Sequence, residues 1–150
     1  MNAHPTTPTP DLTERASRLR LAITRTARRM RQEASPDLGP ASLSALASID
    51  RHGPLTPSEL ARIERIQRPT ATRLLANLAE KDLVTRAADP SDGRCSIVSA
   101  TPEGKAMLKR LRGRKNAYLA KRMKDLSDDD VAALERAAEI LERVLEEDDR

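Results

Sequence analysis

The residues best equipped for chemistry gather at two places. Gln67, Arg68, Thr70, Thr72 and Arg73 crowd the start of a predicted helix around Pro69, and Arg86, Asp89, Asp92 and Arg94 surround a turn further on. Arginine presents a planar fork of donors that grips guanine or a phosphate at two points, while threonine and glutamine reach bases or phosphates. Free backbone amides at a helix start add attraction for phosphate. An acid beside an arginine can fix the guanidinium's direction by a charge-assisted hydrogen bond, which suits insertion into a narrow minor groove. The chemistry expected is recognition of a polyanion. The alternatives are an ordinary amphipathic helix with solvated arginines and a surface Asp–Arg pair that only holds the turn.

Other chemistry finds little support. His4 and His52 stand apart, and the single cysteine, Cys95, excludes a disulfide framework and any CxxC site. A glycine-rich phosphate loop is missing as well. No metal, cofactor or enzymatic activity is therefore expected. No stretch approaches the roughly 20 apolar residues of a membrane span. The Pro/Thr-rich start, residues 1–10, lacks the apolar core of a signal peptide and reads as a disordered tail. A cytoplasmic protein without membrane association is expected.

Charge is unevenly placed. The chain of 150 residues carries a net +4, yet Leu126 to Arg150 holds ten carboxylates against three arginines, a net −7 that leaves +11 on the remainder. A basic body with an acidic end suits a polyanion partner, with the end held away from it. A basic solvated surface without a partner fits the same numbers. There is no Phe or Trp and one Tyr, Tyr118, so the core must come from Leu, Ile, Val, Met and Ala. Small aliphatic side chains in a chain this size favour helices and gain from burial against a second copy.

These groups must be positioned by a mainly α fold with a small β-hairpin. Leu12, Ala16, Leu19, Ile23 and Met30 mark one face of a first helix, about 11–33. A second spans about 41–51, ended by His52-Gly53-Pro54. Thr56-Pro57-Ser58-Glu59 is a capping box that opens a short third helix. A turn at 64–67 leads to the helix carrying Thr70 and Arg73, which runs to about Lys81. Two short helices across a tight turn make a helix-turn-helix. Segments 83–86 and 95–100, joined by Ala88-Asp89-Pro90-Ser91-Asp92-Gly93, read as a hairpin. Thr101-Pro102 starts a long helix to about Lys124 with Tyr118 and Leu119 among its apolar positions. Ser127 caps the last helix, whose apolar stripe includes Leu134, Leu141 and Leu145.

The segment Leu60-Ala61-Arg62, Ile66, Pro69 to Leu75, Leu78, Lys81 to Val84 and Arg86 resembles the recognition region of the MarR-type transcriptional regulators. Asp89 to Arg94 is similar to that family's wing signature, and Thr101-Pro102-Glu103-Gly104 to the opening of the helix after the wing. The resemblance implies a winged helix-turn-helix at about 41–101 within one domain, 11–150, and dimerisation helices at about 11–35 and 102–147. It implies a homodimer on double-stranded DNA, held through Leu12, Leu19, Ile23, Leu119, Leu134, Leu141 and Leu145. Gln67, Arg68, Pro69, Thr70, Thr72 and Arg73 would serve the major groove, and Arg86, Asp89, Asp92 and Arg94 the minor groove.

Two-fold symmetry predicts a pseudo-palindromic operator; many such proteins repress transcription and release DNA when a small-molecule effector binds between dimer core and DNA-binding lobe. Arg65 and Asp82 stand where the family often has glycine, and Gln67 where it often has a serine cap. Cys95 is read as a packing residue, with redox sensing as the alternative. The expected effector pocket is lined by Leu, Met and Ala with Tyr118 the one aromatic, and such residues more often form core. Two readings compete with the regulator: a helical protein-interaction module, and a non-specific DNA-binding protein without ligand response.

Overall fold

Local signals set most of the helix ends. The computed structural model describes residues 11–34 and 37–148; the expected tail and the Ser35-Pro36 break lie outside the described residues. Asp11 accepts the Glu14 amide at 2.7 Å and starts helix α1, Leu12–Ala34. Pro40 sits in the first turn of α2, Pro40–His52, and Gly53 stops it at φ 78°, a conformation glycine adopts without steric cost. Thr56 opens α3, Pro57–Glu64, with both halves of the capping box formed: its hydroxyl accepts the Glu59 amide at 3.2 Å, and Glu59 accepts the Thr56 amide at 2.7 Å. The Thr56 amide, then its hydroxyl, hold the Glu59 carboxyl below its ordinary pKa.

Helix α4, Arg68–Glu80, follows, then strands β1, Val84–Ala88, and β2, Ser96–Ala100. The strands pair antiparallel from Val84 opposite Ala100 to Ala88 opposite Ser96. Leu55 adds a bridge that the sequence did not announce, exchanging backbone hydrogen bonds of 3.0 and 2.8 Å with Val98. It ties the segment between α2 and α3 to the hairpin base. Helices α5, Pro102–Met123, and α6, Asp128–Asp148, complete the chain. Thr101 caps α5 through the Gly104 amide at 3.0 Å, and Ser127 accepts the Asp130 amide at 3.2 Å.

The core lies within the lobe made by α2, α3, α4, the hairpin and the start of α5. Leu46, Ile49, Leu60, Leu75, Leu78, Leu83 and Val98 are its largest fully buried side chains. The terminal helices differ. Helix α1 packs along α5, yet Ala34 is its one buried residue, and no described side chain of α6 is buried. Leu12 is 83% exposed and Leu145 64%, with Leu19, Ile23, Leu119 and Leu134 also exposed and Leu141 half-buried.

The hairpin and α5 meet at a close contact. Thr101 donates its hydroxyl to the Asp82 carbonyl at 2.6 Å and its amide to the Leu83 carbonyl at 3.0 Å. Gly104 lies against this junction, where an added Cβ would stand 2.2 Å from the Leu83 carbonyl oxygen. Backbone cannot yield there as a flexible side chain would. Gly104→Ala should therefore destabilise the protein by about 1–3 kcal/mol. Thermal unfolding checks this; an unchanged melting temperature contradicts the tight junction.

Candidate nucleic-acid interface

Helix α4 is held by one face and offers the other. Ala71, Leu75 and Leu78 are buried, while Arg68, Pro69, Thr72 and Arg73 are exposed. Thr70 is half-buried, so it stands on the flank of that face and not at its centre. The helix begins at Arg68, one residue before Pro69, with Gln67 at the cap position in extended conformation. Gln67 makes no side-chain cap bond, so the cap position leaves the first amides of α4 without a side-chain acceptor of its own. Uncapped amides beside two arginines form an electropositive end suited to phosphate. Thr72 donates its hydroxyl to the Arg68 carbonyl at 3.0 Å, leaving its oxygen as an acceptor. Sequence reasoning passed over Asn77, which is exposed one turn beyond Arg73; its helical spacing was the available signal.

The turn that aims α4 is strained and tied down. Arg65 adopts left-handed geometry, φ 53°, at the end of α3. A residue with a Cβ pays roughly 1 kcal/mol for this conformation. The turn is closed by the Ile66 amide on the Ala61 carbonyl at 2.9 Å. Glu64, half-buried, accepts the Ser44 hydroxyl at 2.7 Å and also the Ser48 hydroxyl, both from α2. One carboxylate thus clasps α2 to the residue that precedes the left-handed turn. Asp82, φ 57°, makes the corresponding turn after α4. Both positions are those where glycine was expected.

The wing corrects one expectation. Its carboxylates do not grip the arginines: among the described residues, no ion pair joins Asp89 or Asp92 to Arg86 or Arg94. Asp89 instead accepts the Ser91 amide at 2.9 Å and hydroxyl at 2.7 Å, and Asp92 accepts the Arg94 amide at 3.1 Å. The hydroxyl of Ser91, then its amide, hold the Asp89 carboxyl below its ordinary pKa. Short carboxylate side chains reach amides two residues ahead more easily than a distant guanidinium. The acids therefore shape the turn; Arg86, in β1, and Arg94, in the turn itself, are both exposed.

Cys95 is exposed, so it does not pack in the core as expected. Its sulfur lies 3.7 Å from an Asp92 oxygen. The Asp92 charge, helped by partial desolvation, raises the thiol's pKa, which opposes the thiolate that redox sensing needs. The expected apolar effector pocket also takes a different form. Tyr118 borders a cleft with Glu33, Arg114, Lys121 and Arg122, and the Arg122 guanidinium carbon lies 5.4 Å from its ring centre. Among the described residues no group of His, Cys, Asp and Glu could hold a metal, and no helix is long and apolar enough to cross a membrane.

The lobe, turn and wing match a known family. The model of the MarR family fits residues 38–96. Over 133 residues the chain is 35% identical to an uncharacterised HTH-type transcriptional regulator of Mycobacterium bovis, spanning 88% of this chain and 93% of that one. The chain belongs to the MarR family. It is 30% identical to the HTH-type transcriptional repressor MdtR of Bacillus subtilis over 74% of this chain and 72% of that one. The fold agrees: a transcriptional regulator from Pseudomonas aeruginosa superposes with a TM-score of 0.83 at 34% identity, over 92% of this chain and 98% of that one. This MarR-family chain is a DNA-binding transcriptional regulator, not an enzyme.

Two outcomes test the geometry of this MarR-family lobe. Glu64→Ala removes two hydroxyl-to-carboxylate bonds and should cost about 2 kcal/mol; Glu64→Gln, which keeps an acceptor, should lose less. Denaturant unfolding of the two variants checks the order, and equal stability contradicts the clasp. At pH 8, where a raised pKa leaves less thiolate, Cys95 should alkylate more slowly than a free thiol. Asp92→Asn should speed it, and an equal or slower rate contradicts the charge effect.

Proposed function

We propose that this regulator is a homodimeric repressor that reads a pseudo-palindromic operator in double-stranded DNA. The observation that carries the reading is the exposed, uncapped and cationic start of α4 on the same lobe as a wing with two outward arginines. A major groove admits one α-helix, and its first turns reach base edges. Gln67, Arg68, Thr72 and Arg73 then serve base edges and phosphates, with Thr70 at the flank and Pro69 shaping the start. Arg86 and Arg94 enter the minor groove from a turn that Asp89 and Asp92 hold in shape. The dimer is supported by the uncovered Leu12, Leu19, Ile23, Leu119, Leu134 and Leu145, a larger apolar surface than an isolated chain keeps wet without reason. Leu141, half-buried, belongs to the same stripe.

Under this reading 11–150 is one domain, with the winged helix-turn-helix at about 41–101 and dimerisation helices on either side. Repression follows the name of the Bacillus relative. Release by a small molecule belongs to the same reading: a cleft of about 350 Å³ between α1 and α2, bordered by Arg28, Arg31, Gln32, Leu38 and Leu43, lies where α1 meets the lobe. A ligand acts there only by binding the DNA-incompetent arrangement better. The cytoplasm, where the DNA is, is the place of action.

Arg73→Ala/Arg94→Ala tests the interface. Loss of a base contact costs about 1–3 kcal/mol, and each lost phosphate contact flattens the salt dependence by about one. The double variant should bind operator at least tenfold more weakly with its dimer intact. Unaltered DNA affinity in an intact dimer favours a protein-interaction module instead.

A further inference from the structure

Unpartnered polar groups also meet where the start of α2 faces the flank of α4. A cleft of about 440 Å³ opens there, bordered by Asp37, Ser42, Arg73, Asn77 and Lys81. Arg73, Asn77 and Lys81 follow one another at intervals of four along α4 and its cap, so they form one row. All three are exposed, and among the described residues neither cation makes an ion pair. Ser42 faces them from α2. It is only 9% exposed, and among the described residues its hydroxyl has no hydrogen-bond partner. An enclosed hydroxyl normally has one, and a group entering the cleft would supply it.

Helix α2 adds donors of its own. Gly39, at the cap position, has no side chain with which to accept, and the first helical bond joins the Leu43 amide to the Gly39 carbonyl at 3.0 Å. The Ala41 and Ser42 amides precede that bond, at the end where the helix dipole concentrates positive charge. Hydroxyl, amides, carboxamide and two cations can all donate, which suits an oxyanion. Charge narrows the class. Arg73 and Lys81 against Asp37 leave one net positive charge in the cleft. A phosphodiester brings one negative charge, whereas a free phosphate monoester brings close to two at neutral pH. Arg73 also shares the exposed face of α4 with Thr72, so a strand lying along that face passes the cleft.

We propose that the cleft seats one backbone phosphodiester of the DNA strand bordering the groove that α4 enters. Ser42 donates its hydroxyl to a phosphate oxygen, the α2 start supplies amides, and Arg73 and Lys81 supply charge. The inference rests on α4 lying in the major groove. It adds a contact from outside the helix-turn-helix that fixes how α4 sits along the strand. Because the contact is to backbone alone, it is the same for every sequence.

Variants at Ser42 and Lys81 test it, with two probes: a duplex from the DNA upstream of the protein's own gene and a random duplex. Lys81→Ala should weaken both by the same factor, roughly tenfold, and flatten the dependence of log affinity on log salt by about one. Ser42→Asp puts a carboxylate into the cleft at a helix start, which tolerates acids, so thermal unfolding should be unchanged while affinity falls at least as far. In a scan of uncharged methylphosphonates along the upstream duplex, one position per half-site should cost the native protein roughly tenfold and Lys81→Ala almost nothing. Variants that bind both duplexes as tightly as the native protein overturn the proposal, as does a methylphosphonate profile that Lys81→Ala leaves unchanged. Inorganic phosphate that binds the native protein but not Ser42→Asp, with DNA affinity equal in the two, assigns the cleft to a free anion and overturns it as well. A native protein that binds neither duplex overturns the reading of α4 beneath it, which is a separate failure.

Discussion

The seven largest fully buried side chains all lie between Leu46 and Val98, and this confinement of the core governs the rest of the molecule. Without Phe or Trp, the chain builds its interior from aliphatic side chains that are enough to close one small lobe. Inside that lobe α4 is fixed by Ala71, Leu75 and Leu78, which turns Arg68, Thr72 and Arg73 outward. Outside it, α1 and α6 keep apolar rows in water. Rigid presentation of a cationic helix and the exposed apolar rows thus share one cause.

The lobe's precision comes from contacts between distant segments. Leu55 and Val98 join across the base of the wing, Thr101 and Gly104 close on Asp82 and Leu83, and Glu64 reaches back to Ser44 and Ser48. Two of these contacts flank the left-handed residues, Arg65 and Asp82, at either end of the α4 unit. A residue with a Cβ persists in that conformation when its surroundings over-determine it. The hydrogen bonds of these junctions, which hold α4 in place, involve none of the side chains of Arg68, Thr72 and Arg73.

Much of this was legible because it is local. The Thr56 box, the Thr101 and Ser127 caps, and the hairpin turn each depend on residues two or three apart, and each formed where expected. The left-handed turns were legible at Arg65 and Asp82 as substitutes for glycine. What was not legible involves a choice among partners. Asp92 could accept from a guanidinium or from the next amides, and proximity favoured the amides. Glu64 finds serines sixteen and twenty residues away, a separation that no periodicity reports. Thr70 has the right type for a reader but sits beside the buried Ala71 on the flank. Tyr118 has apolar neighbours in sequence, yet its cleft is lined by charge from two helices.

We propose that two such lobes related by a two-fold axis read one duplex. Nuclease footprinting on the DNA upstream of the protein's own gene tests it most directly, with a random duplex as competitor across a salt series. Two protected half-sites are expected, with centres about 10 base pairs apart or a multiple of that, retained against the competitor. Equal affinity for upstream and random duplexes at every salt concentration, with no protected pair, would contradict it.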